Sequence, residues 1–359
     1  MLPPCFSTEE IIEEQKQSLG ISDFINSSQE YAGQVFKGTN FNEIFNSMIK
    51  GQVDNSFVFD GIINVFKTEL SKNTSLMIKI LIVVIIHSIV KSISENLGND
   101  STSKIIYFLQ YVIIATFILE SFSSIISLTK SSIQDIISFM QLLIPLLITL
   151  MLTTGQFAFA NIVQPILILM MNFIGEFVFV FIIPLVMICM ILAIVSNFSK
   201  EITINKLSKF IKKSTLWILG IVLTVFVTTL SLEGTLGNSV DTLTSKTAKA
   251  IVSDFIPVFG KILGDTAETI IGCSKVLKST VGMIGVLVII SIVISPVIKI
   301  GILWFSFKIT ACICEVVADE RIVKLIDEIS ECYKILLGIL VAVSIMLIVG
   351  ITIILKATM

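Results

Sequence analysis

Six cysteines (Cys5, Cys189, Cys273, Cys312, Cys314 and Cys332) and one histidine, His87, are the side chains of this sequence best suited to hold a metal ion or attack a substrate. Their spacing argues against both roles. There is no CxxC pair, and no histidine stands near a cysteine to complete a zinc site, so the cysteines read as small apolar side chains. His87 lies in a hydrophobic run with no Ser, Cys or Asp constellation assignable to it, whereas acid–base catalysis needs positioned partners. The tripeptide "FGK" at Phe259 suggests a phosphate loop, but that motif needs a glycine where Phe255 stands. Serines and threonines are too common for one to be singled out as a nucleophile. The expectation is a chain with no catalytic, cofactor or metal site, and not an enzyme.

What remains is a set of charged and amide groups embedded in apolar sequence: Lys79, Glu120, Gln141, Asn161, Gln164, Asn172, Glu176, Lys299 and Lys308. Polar groups in such surroundings face a bundle interior or a pathway, because hydrocarbon cannot hydrogen-bond to them. Lys79 and Glu120 sit near span ends, where a long side chain reaches the interface. Glu176 falls in the string "IGEF", read as a tight turn between two spans. Lys299 follows Pro296 by three residues inside "ISPVIKIGILW", and is either a pathway group or the mark of a shorter span's end. Gln141, Gln164, Asn172, Glu176 and Lys299 are thus the candidate membrane-embedded polar residues. Pro145, Pro165, Pro184 and Pro296 are candidate kinks, although proline is ordinary in membrane helices, whose neighbours re-satisfy the freed carbonyl.

The elements that hold these groups follow from composition. The chain is 54% hydrophobic and 14% charged, against about 45–50% and about 25% in soluble domains, and its mean hydropathy is +0.96. Runs such as "FVFVFIIPLVMICMILAIV" are apolar all round and belong in lipid or among other helices. The fold class expected is all-α and polytopic, with about eight membrane helices, in a range of about seven to nine. The apolar spans are 76–90, 105–119, 136–152, 157–173, 177–196, 215–230, 281–304 and 335–355. Residues 1–74 are expected to form an exported amphipathic helical region, opened by a Ser7 to Glu10 capping pattern. Residues 75–359 form the multi-span domain, which contains a basic amphipathic helix at 197–213 and a helical hairpin at 231–281.

Orientation comes from lysines, which are enriched in cytoplasmic loops near spans. The stretch "NFSKEITINKLSKFIKK" carries Lys200, Lys206, Lys209, Lys212 and Lys213 against Glu201 alone, and is assigned to the cytoplasm. Five spans precede it, so residues 1–74 fall on the other side; they hold ten acids against five lysines, which agrees. Exporting them needs a leader, and "MLPPCFSTEE" lacks the charged start and apolar core of a signal peptide. The expectation is a chain that is processed or begins downstream of its true start.

One span further on, the 231–281 segment is also non-cytoplasmic. Within it "SDFIPVFGKILGDTAETIIG" places Phe255, Phe259, Ile262, Leu263, Ile270 and Ile271 near helical spacing, with Lys261, Asp265 and Glu268 on another side. Pro257 and Gly260 favour a break between two short helices. The passage lies in the interface, caps the bundle, or dips in as a re-entrant element. Beyond it, "WFSFKITACICEVVADERIVKLIDEISECYK" is either a cytoplasmic amphipathic region, with the C-terminus outside, or includes a further crossing at 301–317.

In this order, the acidic leader, "LIPLLITLMLTTGQFAFANIVQPILILMMNFIG", the basic loop, "IPVFGKILGDTAETIIG" and "VVADERIVKLIDEISECYKILLGIL" resemble the stage III sporulation protein AE family of endospore-forming bacteria. The resemblance covers nearly the whole chain, and Pro257, Gly260, Asp265, Glu268 and Gly272 carry its most specific piece. It implies a polytopic subunit of a secretion-like channel complex in the mother-cell membrane around the forespore, needed for forespore maintenance and late forespore gene expression. It implies as partners a secretion-type ATPase and ring-forming subunits of the same operon and, indirectly, stage II sporulation protein Q. Family members carry an N-terminal signal peptide, which is not visible here. Lipid rather than nucleic acid is the expected surroundings, and a homo-oligomer is compatible. Two other readings stand beside a conduit or platform subunit whose partner or gate surface is Pro257, Gly260, Lys261, Asp265, Glu268 and Gly272. One is an autonomous secondary transporter of a small solute, which ordinarily shows paired broken helices in matching halves. The other, a membrane-embedded enzyme, lacks a visible nucleophile and base.

Overall fold

Segments that are apolar on every side must satisfy their backbone groups internally, and a helix does so within one segment. The computed structural model, which describes residues 8–31, 40–49, 56–96, 100–198, 206–229 and 260–356, is built of helices and contains no strand among those residues. Three short amphipathic helices come first: α1 (Thr8–Ser18), α2 (Ile21–Tyr31) and α3 (Phe41–Ile49). Asn40 caps α3, its Oδ1 accepting from the Asn42 N–H at 3.0 Å while its Nδ2 donates to Glu43 Oε1 at 3.3 Å. The long helices are α4 (Ser56–Asn96), α5 (Asp100–Thr153), α6 (Phe157–Phe177), α7 (Ile183–Phe198), α8 (Lys206–Thr229), α9 (Gly260–Cys314) and α10 (Glu320–Lys356).

Among the described residues six helical stretches are long and apolar enough to cross a membrane, where the hydropathy profile suggests about eight crossings. Two expected joints account for the difference, because both are helical. Residues 120–135 contain no proline or glycine, and their apolar members Phe122, Ile125, Ile126 and Ile133 recur at helical spacing and are buried. The expected spans 105–119 and 136–152 are therefore one helix, α5, of 54 residues. The "IGEF" string is likewise no turn: Gly175 and Glu176 lie inside α6, which passes through a π-helical turn, Val178–Ile182, directly into α7. Gly175 serves close packing, since a Cβ there would stand 2.6 Å from Ile137 Cδ1. The π turn immediately precedes Pro184, whose missing N–H and bulky ring disrupt regular α hydrogen bonding one turn back. A true turn occurs at Thr154 to Gln156, where Gly155 takes φ +83°, a value that glycine adopts without strain.

The helices run up and down, with α9 at the centre against α10, α4 and α5. Gly282 and Gly285 of α9 let Leu355 and Leu143 approach the backbone closely. The boundary expected after residue 74 falls inside α4, which is unbroken from Ser56 to Asn96.

Candidate functional site

The two ends of the bundle differ in chemistry. At one end the start of α5, the end of α7, the start of α8 and the start of α10 meet. Tyr107 Oη donates to the Asn197 carbonyl at 3.1 Å, Tyr111 Oη donates to the Ile194 carbonyl, and Lys212 Nζ donates to the Glu328 carbonyl at 3.3 Å. The Arg321 guanidinium lies 3.9 Å from the centre of the Tyr107 ring, a cation–π contact. Lys206, Lys209 and Lys213 gather more lysines at this end from α8, beside the acids Asp319, Glu320, Asp327 and Glu328 at the start of α10, and residues 199–205 of the basic loop lie outside the described residues. At the opposite end α1 to α3 pack on α9 and α5: Ser274 Oγ donates to Gln15 Oε1 at 3.3 Å, and Phe24 and Tyr31 lie 5.9 and 5.7 Å from the Phe139 ring. Between α2 and α5 here is a cavity of about 320 Å³ lined by Asp23, Ser27, Pro145 and Thr149, among others.

Of the expected polar groups, the structure brings two together. Gln141 Nε2 on α5 donates to Asn172 Oδ1 on α6 at 3.3 Å, and both side chains are exposed on the outside of the chain. Glu176, one helical turn beyond Asn172, is exposed on the same face, and Gln164 is half-buried further up α6. Lys299 is half-buried on α9 beyond Pro296, which is buried. Pro145, Pro165 and Pro184 are exposed within their helices; Pro184 alone follows a π turn among the described residues. Pro257 lies outside the described residues. Gly260 is the first residue of α9, and Lys261, Asp265 and Glu268 occupy its opening turns. From Gly260 the passage is thus continuous with the apolar span beyond it. Gly272 is exposed, with open space where a Cβ would stand.

Lys308, singled out in the sequence as an embedded charge, gains partners in the fold that the sequence does not name, and Tyr333 and Lys278 carry no signal of their own. Lys308 of α9 donates to Asp327 Oδ1 at 2.6 Å and Glu331 Oε1 at 3.2 Å on α10, so α9 and α10 are joined by charge as well as by packing. The four-residue spacing of Asp327 and Glu331 on an amphipathic stretch is legible, but not the lysine they would hold. Tyr333 is buried and its Oη bonds to Ser121 Oγ at 3.0 Å. Lys278 is 1% exposed on α9, and its ammonium has no hydrogen-bond partner among the described residues. Also among these, no cluster of three or more His, Cys, Asp or Glu side chains is placed to hold a metal.

Comparison with known proteins adds two matches. A family model described as Stage III sporulation protein AE matches residues 39–358. The Stage III sporulation protein AE of Bacillus subtilis (strain 168) is 29% identical over 278 residues, covering 77% of this chain and 70% of that protein. No solved structure matches.

Proposed function

The chain belongs to the stage III sporulation protein AE family, and from that premise we propose that it is the conduit or platform subunit of a secretion-like channel complex between mother cell and forespore. Membership makes it a sporulation protein, and its long apolar helices fit an integral membrane protein. The finer reading places it in the mother-cell membrane around the forespore, supporting forespore maintenance and late forespore gene expression without chemistry of its own.

The observation that carries this reading is the separation of the basic end from the α1–α3 end. An odd number of crossings, α4, α5 and the α6–α7 rod, precedes α8. The lysines that open α8 therefore lie opposite α1–α3. With lysines inside, the basic end faces the mother-cell cytosol, where a secretion-type ATPase would engage. The α1–α3 helices and the α8–α9 connection then face the space between the membranes, where ring-forming subunits and, through them, stage II sporulation protein Q would meet it. The test is a tagged full-length chain purified from sporulating cells, with spore yield scored in cells that lack the chain. Ring and ATPase subunits should co-purify, and heat-resistant spores should fall by orders of magnitude; a normal yield, or a chain that carries no such partners, overturns the proposal. Lys299, half-buried within α9, favours a second reading as an autonomous transporter. That reading requires solute flux by the purified chain alone in liposomes, lost in Lys299→Ala.

A further inference from the structure

One face of α5 is polar over the thickness of a membrane. Glu120, Ser124, Ser127, Ser131, Gln134 and Ser138 lead to Gln141 in steps of three and four residues. At 3.6 residues per turn they share an arc of roughly 100°, in which no apolar residue between Glu120 and Gln141 falls. At 1.5 Å per residue the stripe is about 32 Å long, against about 30 Å for a hydrocarbon core. Ser138 is half-buried and the others named are exposed, so no other part of the described chain covers them. The Gln141 to Asn172 bond extends the polar surface onto α6, where Glu176 follows one turn later.

Three contacts identify what else lies at this level. Tyr333 at Ser121, Asn172 at Gln141, and Leu216 at 3.9 Å from a Cβ on Gly338 align α10, α6 and α8 with the stripe. At that height Ile345 of α10, Val180 and Phe181 of the π turn, and Ile221 and Val225 of α8 are exposed. The bundle's outer surface is therefore apolar on those helices and polar on α5. Lipid suits the first surface but cannot solvate the second, because exposed amides and hydroxyls in hydrocarbon keep acceptors that their own helix cannot satisfy. The stripe also leads somewhere: beyond Gln141 the same side of α5 presents Pro145 and Thr149 to the cavity that Asp23 and Ser27 of α2 help to line.

We propose that this stripe, with Asn172 and Glu176 beside it, is the water-facing wall of a path across the membrane that further copies of this chain close around a shared axis. One copy supplies a wall and leaves it open. The stripe is self-complementary, since hydroxyls and amides both donate and accept, and the exposed Lys130 and Asp135 flank its middle on opposite edges, so rotated copies bring opposite charges toward one another. The permeant class is small hydrophilic solutes, because the exposed charges beside the stripe are of both signs, Lys130 against Glu120, Asp135 and Glu176. The inference rests on the conduit reading above.

The test uses the full-length chain in sealed vesicles, with its six native cysteines replaced and one cysteine placed at Ser127, Ser131 or Ser138 in the stripe, or at Val180 or Ile345 at the same height. A membrane-impermeant maleimide should label the stripe positions at least tenfold faster than the other two, and a short bifunctional thiol reagent should join two copies through Ser131→Cys. Unlabelled stripe positions mean a dry face, equal labelling of all five means a level outside the bilayer, and labelling without homodimers means that something else closes the path; each overturns the proposal. The same variants are scored for restoring spore formation to cells lacking the chain. A dry stripe in a variant that restores spores removes the wall and leaves the platform reading standing, whereas normal spores in the cells lacking the chain remove that reading itself.

Discussion

Lys278 is an ammonium buried on a central helix with no hydrogen-bond partner among the described residues. Burial removes its hydration and nothing described replaces it, so a shape-matched apolar side chain is better accommodated there. Lys278→Met should stabilise the isolated chain by about 1–4 kcal/mol, seen as a rise in Tm in detergent; a fall in Tm would mean that the lysine is paired after all. Lys308 presents the opposite case. Lys308→Met removes the ammonium from Asp327 and leaves Glu331, among the described residues, with Lys334 at 3.7 Å. The three groups are partly exposed, so the expected loss is no more than about 1 kcal/mol, and neutralising Asp327 and Glu331 in the same chain should recover most of it. Such pairings were only half legible: sequence reasoning picked out Lys308, Gln141 and Asn172 one at a time, but which of them meet depends on the register between helices far apart in the chain.

The helices themselves were more legible, because apolar spacing announces nearly all of them. The two misread joints share a cause. A hydropathy average drops wherever one side of a helix turns polar, so residues 120–135 resemble a loop, although their buried members keep an unbroken helical period. Gly175 beside Glu176 resembles a turn, although the glycine is there to admit Ile137. A proline separates the alternatives at the first joint. In a loop it would be tolerated, whereas inside continuous α5 it removes a backbone bond and clashes with the preceding turn. Ser127→Pro should therefore cost about 3 kcal/mol or more, measured as a lowered Tm or as loss of folded protein from the membrane.

Counting long helices as single crossings changes the expected number but not the parity, since three stretches precede α8 where the hydropathy profile counts five. The recount therefore leaves the proposed sidedness unchanged. A reporter fused at Gly237, between α8 and α9, should be active only in its non-cytoplasmic form, and one placed between α4 and α5 only in its cytoplasmic form. The reverse pattern would put the basic end outside and the α1–α3 helices in the cytosol. The length of α5 and α9 has a mechanical consequence. At 1.5 Å per residue each is a rod of about 80 Å, more than twice a hydrocarbon core of about 30 Å, and a stiff rod acts as a lever. A tilt of about 5° at one end would swing the other by roughly 7 Å, so force applied at one surface of the membrane reaches the other as displacement, with Pro145 in α5 and Pro296 in α9 as the points where each rod can flex.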